Sequence, residues 1–105
     1  MKLVFSIVNT DDAAAVSAAL TENNFQVTKL ATTGGFLKIG NTTFITGVED
    51  DKVDEVIKII EKKSNKRKQI VPNVQGVGGY SDVPLKVTVG GATIFVVDVD
   101  RFEKI

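Results

Sequence analysis

The chain has no cysteine and no histidine. That excludes disulfides, thiolate nucleophiles, Cys/His zinc sites, haem ligation through imidazole, and every catalytic dyad or triad built on histidine. Net charge is also missing: 13 Lys and Arg balance 13 Asp and Glu. A general electrostatic grip on DNA, RNA or an anionic membrane is therefore not expected. Long apolar runs are absent too. A spanning helix needs about 20 apolar residues, and the first apolar run, Leu3 to Val8, already contains Ser6. A secretory signal needs a longer apolar core and a small-residue cleavage site. The expectation is a cytoplasmic protein with no membrane insertion, and the run reads as a first buried strand. Asn41-Thr42-Thr43 matches a glycosylation acceptor, which has no meaning without secretion. With these chemistries removed, binding is favoured over catalysis.

What is present is an ordinary globular mix, 43% apolar and 25% charged over 105 residues. That length suits one domain, 1–105, with one modest core. Residues 2–8 carry β-branched and aromatic side chains on both parities, as in a central strand covered on both faces. Thr10-Asp11-Asp12 supplies N-cap chemistry and carboxylates for the helix dipole. Ala13 to Glu22 then reads as a helix, ended by Asn23-Asn24. Phe25 to Thr33 alternates: Phe25 and Val27 on one face, Gln26, Thr28 and Leu30 on the other. Thr42 to Val48 returns as a strand. Glu49-Asp50-Asp51 opens a second helix, with Val53, Val56, Ile57 and Ile60 on one stripe. It ends in Lys62, Lys63, Lys66, Arg67 and Lys68.

Segments 34–40 and 71–84 read as flexible loops; the second holds both prolines and three glycines. Leu85–Val89, Gly90-Gly91 and Ala92–Val97 read as a hairpin on a two-residue turn. The order is β-α-β-β-α-β, so the fold class is α+β and ferredoxin-like, with the last strand extended into a hairpin. Both helices then share one sheet face, and the other face is bare yet apolar. A bare apolar face on a small protein implies a partner, here an oligomer with sheets packed inward.

Several motifs are near misses. Gly35 to Thr42 almost spells a phosphate-binding P-loop, but Asn41 stands where the lysine belongs, and a strand follows instead of a helix. Gly76 to Ser81 is a broken dinucleotide fingerprint without a strand-to-helix setting. The run Lys62 to Lys68 suits a helix C-terminus better than a nucleic-acid patch. The acidic cluster Glu49 to Glu55 suits N-capping better than a metal. No metal or catalytic residue is assigned.

Residues 23–48 are different: dense in Asn, Thr and Gly, and low in charge. Alternation sends Asn24, Gln26 and Thr28 to one face as a row of neutral donors and acceptors. Phe36 and Leu37 sit between glycines, free to be presented. Asn41 opens the returning strand. Gly47 opposite the row lets a flat group approach the backbone. Amides read nucleobase edges, and apolar or aromatic surfaces stack on their faces. The same stretch also reads simply as a polar turn between strands.

At this stretch the sequence resembles the PII-like bacterial proteins that act as cyclic di-AMP receptors. The matching residues are Asn23-Asn24-Phe25, Thr28 through Leu37, Gly40 through Phe44 and Gly47-Val48, with a second match from Val89 to Val96. The resemblance implies a PII-like homotrimer with ligand clefts between neighbouring chains. It implies that Asn24, Gln26, Thr28, Phe36, Leu37, Asn41 and Gly47 line one side of the cleft. Gly91, Ala92 and Thr93 would come from the adjacent chain. The ligand would be cyclic di-AMP, with no cofactor, and the switching loops would address a downstream protein of unknown identity.

Two departures stand out. The family usually carries an arginine where this chain has Gln26, and residues 76–84 are shorter than the usual loop, with Tyr80 their one aromatic. A dianionic ligand would then depend on backbone N–H groups, Lys38 and Lys29. Weak cyclic di-AMP binding, another nucleotide, or a ligand-free interaction scaffold is the alternative reading. An enzyme is the third: it would lack histidine, offer Tyr80 as its one tyrosine, and have no paired carboxylates near the Gly/Thr stretch.

Overall fold

The computed structural model describes residues 1–30, 40–71 and 85–105. The expected loops at 34–40 and 71–84 fall outside these residues, except Gly40 and Val71. Strand β1 (Lys2–Asn9) leads into helix α1 (Thr10–Glu22). The short strand β2 (Thr28–Lys29) and the long β3 (Asn41–Val48) follow. A 3-10 turn at Asp50–Lys52 leads into helix α2 (Val53–Ser64). Three strands complete the described chain: β4 (Arg67–Val71), β5 (Leu85–Val89) and β6 (Ala92–Asp98). One sheet has the order β2-β3-β1-β6, and β4 and β5 form a second, two-stranded sheet. All pairings are antiparallel. The fold is α+β with a βαββαβ-like arrangement.

Parity along β1 divides the sheet. Val4 and Val8 are fully buried, and with Phe44 and Val48 of β3 they meet Val16 and Leu20 of α1 and Val56 and Ile60 of α2. Burying each such side chain contributes about 1.5–3 kcal/mol. Of the stripe expected on the second helix, Val56 and Ile60 enter the core and Val53 packs against it; Ile59, rather than Ile57, is the fourth residue to do so. Leu3 and Phe5 point to the other face, opposite Val97 and Phe95 of β6. There Phe95 is 56% and Val97 47% exposed. The bare apolar face expected from the composition of the first strand is present.

Three local expectations are corrected. First, α1 is capped by Asn9, whose Oδ1 accepts from the Asp11 N–H at 2.9 Å; Thr10, Asp11 and Asp12 form its first turn. Second, no side-chain cap bond forms at the acidic cluster. Asp50 instead lies 2.9 Å from the Met1 amino group. Third, Lys66 to Lys68 do not extend α2, which stops at Ser64.

From Arg67 the chain is a strand, and this undoes the expected hairpin. β5 pairs with β4, Arg67 opposite Val89, while β6 pairs with β1. Gly90-Gly91 is thus a passage between two sheets. Both have φ +85°, and the Gly91 N–H donates to the Ser64 carbonyl at the end of α2. A Cβ on Gly90 would stand 2.6 Å from the Asn65 carbonyl oxygen and 2.7 Å from an Arg67 guanidinium nitrogen. Close approach to a helix end, not a hairpin turn, is what needs the glycines. The Arg67 guanidinium also grips the buried Asp12 carboxylate with two hydrogen bonds, 2.7 and 3.3 Å, tying β4 to the start of α1. Gly90→Ala should destabilise the fold by about 2 kcal/mol, combining left-handed strain with this clash. Its thermal midpoint should fall by several degrees; an unchanged midpoint would contradict the close approach.

Candidate functional site

The end of α1 sets up the site. The Asn23 backbone N–H reaches the Ala19 and Leu20 carbonyls at 3.2 Å, and Asn24 turns left-handed at φ 67°. Asparagine tolerates that conformation better than most side chains. From there the chain alternates as expected. Phe25 and Val27 pack against the core, and Asn24, Gln26 and Thr28 stand exposed. Thr28 lies opposite Ile45, and Gly47, two residues further on β3, lies opposite Leu3.

These residues meet. Asn24, Gln26, Thr28 and Gly47 line one cleft of about 600 Å³, together with Leu3, Ile45, Val99 and Phe102. One edge is amide and hydroxyl; the rest is aliphatic and aromatic. Among the described residues, no charged side chain lines it. These residues offer hydrogen bonds and an apolar surface, which fits a flat polar heterocycle. Gly47 has no positive φ, and a Cβ there would meet nothing within 4 Å. Neither backbone nor packing requires a glycine at this position. The space it leaves belongs to the cleft.

The remaining assigned residues sit elsewhere in the chain. Asn41, Gly91, Ala92 and Thr93 line a recess of about 260 Å³ with Asn9 and Lys66. On β3, Asn41 and Gly47 are six residues apart, about 20 Å at the usual strand rise. The resemblance grouped Asn41 with Asn24 and Gly47; within one chain it groups with Gly91 to Thr93. Phe36, Leu37, Lys38 and Tyr80 lie outside the described residues. Lys29 turns away from the cleft, into a recess with Val27 and Thr42, because it is one residue out of phase with Thr28.

Sequence reasoning missed Leu3, Ile45, Val99 and Phe102 as cleft residues, and Lys66 beside Asn41. Leu3 and Ile45 were hidden by their role as ordinary strand residues. Phe102 had a signal: one aromatic in an otherwise polar tail. The segment carrying it is anchored at its base. The Val99 N–H donates to the Met1 carbonyl at 3.2 Å. Lys2 pairs with Asp98, and that hydrogen bond raises the lysine pKa above its usual value. The Met1 amino group does the converse to Asp50, holding its carboxyl below the usual carboxylate range.

Among the described residues, no helix is long and apolar enough to cross a membrane. None of their Asp and Glu side chains form a group of three able to hold a metal ion. The chain is similar to a functionally unknown protein from Pediococcus pentosaceus ATCC 25745 with a crystal structure. The two are 44% identical, with a TM-score of 0.77, over 99% of this chain and 96% of that one. The family model described as cyclic-di-AMP receptor matches residues 1–105, the whole chain. The chain therefore belongs to the cyclic-di-AMP receptor family.

Proposed function

We propose that this chain is a PII-like, non-enzymatic signal-transduction protein that binds cyclic di-AMP between the subunits of a homotrimer in the cytoplasm. The observation that carries the reading is the cleft in which the neutral side chains of Asn24, Gln26 and Thr28 face a glycine that packing does not require. Amide and hydroxyl groups at that spacing suit a base edge, and Gly47 leaves room for its face. Two further features support the trimer. The assigned residues fall into two partial sets at opposite ends of the sheet, and neighbouring chains could complete each set. The open sheet face, with Phe95 and Val97, offers the apolar surface for packing.

Ligand binding would change the conformation of segments 34–40 and 71–84, and so the surface offered to a downstream protein. Phe36 and Leu37 would join the Asn24 cleft, and Gly91, Ala92 and Thr93 would approach it from the adjacent chain. The lack of a charged side chain among the described residues of the cleft argues for modest affinity toward a dianion.

A calorimetric titration tests this. Cyclic di-AMP should give saturable heat with one ligand per chain, and AMP and ATP should bind less tightly. No heat with any of the three at high micromolar protein would overturn nucleotide sensing. Turnover of cyclic di-AMP by the pure protein would show an enzyme instead. Hydrogen exchange over 34–41 and 71–84 that ignores every nucleotide would favour a ligand-free scaffold.

A further inference from the structure

The cleft contains an aromatic ring that neither the core nor the neutral row accounts for. Among the described residues, two rings line it, Phe25 and Phe102. Phe25 packs against the core and is committed there. Phe102 is 63% exposed, although a phenyl ring in water gains nothing from exposure. The segment carrying it is anchored just upstream. Val99 bonds to Met1, and Asp98 to Lys2, so β6 and β1 fix where the tail leaves the sheet. Val99 itself lines the cleft beside Phe102. Arg101 pairs with Glu103 at 2.7 Å on the exposed side of the same segment. The charges flanking Phe102 thus satisfy one another, and none lines the cleft.

We infer that Phe102 is the stacking face of the base pocket and that the C-terminal segment 99–102 forms one of its walls. Asn24, Gln26 and Thr28 then read the edge of a purine, while the Phe102 ring covers its face. This assigns base affinity to a residue outside the Asn/Thr/Gly stretch. It also suits the lack of a charged side chain among the described residues of the cleft: aromatic stacking holds a base without a cation, and is tolerant of which base is present. Discrimination between adenine and guanine would then fall to the amides. The inference rests on the proposed nucleotide reading and adds the residue that holds the base.

The chain contains no tryptophan, so Phe102→Trp introduces a single tryptophan, excited selectively over tyrosine, at the site under test. Its emission should change saturably with cyclic di-AMP, and its affinity should stay within about threefold of the parent protein. Phe102→Ala should weaken binding by roughly tenfold or more, the size of a lost stacking contact. Phe102→Leu keeps apolar bulk without a π face and should recover only part of the loss. Light scattering should give one particle mass for all four proteins. Unchanged affinity in Phe102→Ala, with the Trp emission unmoved while the parent protein binds, would overturn the inference and leave the nucleotide reading standing. A mass change in Phe102→Ala that Phe102→Leu repairs, together with full recovery of affinity, would overturn it too, by showing that Phe102 only packs against a second copy. A parent protein that binds no cyclic di-AMP removes the nucleotide reading, and the inference falls with it.

Discussion

Gly47→Val should abolish cyclic di-AMP binding while leaving the fold at least as stable as before. Gly47 sits inside β3 opposite Leu3, with no positive φ to protect. Glycine in a strand interior costs about 0.5–1 kcal/mol relative to alanine, and valine has the higher strand propensity. No heavy atom lies within 4 Å of the added Cβ, so the new side chain meets no protein there. It stands in the cleft instead, on the floor shared with Leu3, Ile45 and Thr28. A flat base approaching that floor would collide with the new methyl groups. The expected result is a loss of more than about a hundredfold in affinity, over 2.7 kcal/mol, with an equal or higher thermal midpoint and unchanged particle mass. Unchanged affinity would place the ligand elsewhere. A collapse in stability would show that the glycine serves the backbone after all.

Gln26→Arg should act in the opposite direction. Gln26 is exposed, lies between Asn24 and Thr28, and lines the same cleft. Among the described residues, the cleft has no charged side chain to meet two phosphodiester groups. A guanidinium at position 26 adds a fixed positive charge and a fork of donors that suits phosphate, and its plane can stack on a base. Hydrogen bonds to charged groups contribute about 1.5–3 kcal/mol, so affinity should rise roughly ten- to a hundredfold. Part of the gain should fade as salt is raised, because exposed charges are screened over about 8 Å at physiological ionic strength. Glutamine makes neither a charged contact nor an effective stack, so the parent protein should show little of that salt dependence. Unchanged or weaker affinity in Gln26→Arg would mean that the ligand is different or sits elsewhere.

The sequence exposed the neutral row because strand alternation is a short-range rule. Asn24, Gln26 and Thr28 obey it, and Phe25 and Val27 turn inward as the same rule requires. It also exposed most of the helix stripe and the bare sheet face, the first from the 3.6-residue helical period and the second from the two-residue strand period of apolar residues. The expected β5–β6 hairpin failed for a long-range reason. A Gly-Gly pair between two strands looks the same whether it closes a hairpin or threads past a helix end. Only the position of Ser64 and Asn65 distinguishes them. The strand at Arg67–Val71 was hidden because its leading residues are basic and follow a lysine-rich helix end. Positive charge on an edge ribbon is common protection against unwanted pairing, but in a linear sequence it looks like dipole compensation. Lys29 follows the same alternation: one residue out of phase with Thr28, it shares a recess with Val27. Phe102 was missed because nothing local connects a C-terminal tail with residue 24; the pairing of β6 with β1 does.

The absences with which the chain begins have a structural counterpart. With no imidazole or thiol anywhere in the chain, neither group takes part in recognition. The Asn24 cleft is lined by amides, a hydroxyl and apolar surface.

Native mass spectrometry with cyclic di-AMP tests the central claim most directly, because one spectrum reports both assembly and occupancy. The account predicts a particle of three 11.3 kDa chains, about 34 kDa by the threefold symmetry proposed, shifting by up to three ligand masses as cyclic di-AMP is added. A monomer at every concentration, or a trimer that takes up no ligand, would contradict it.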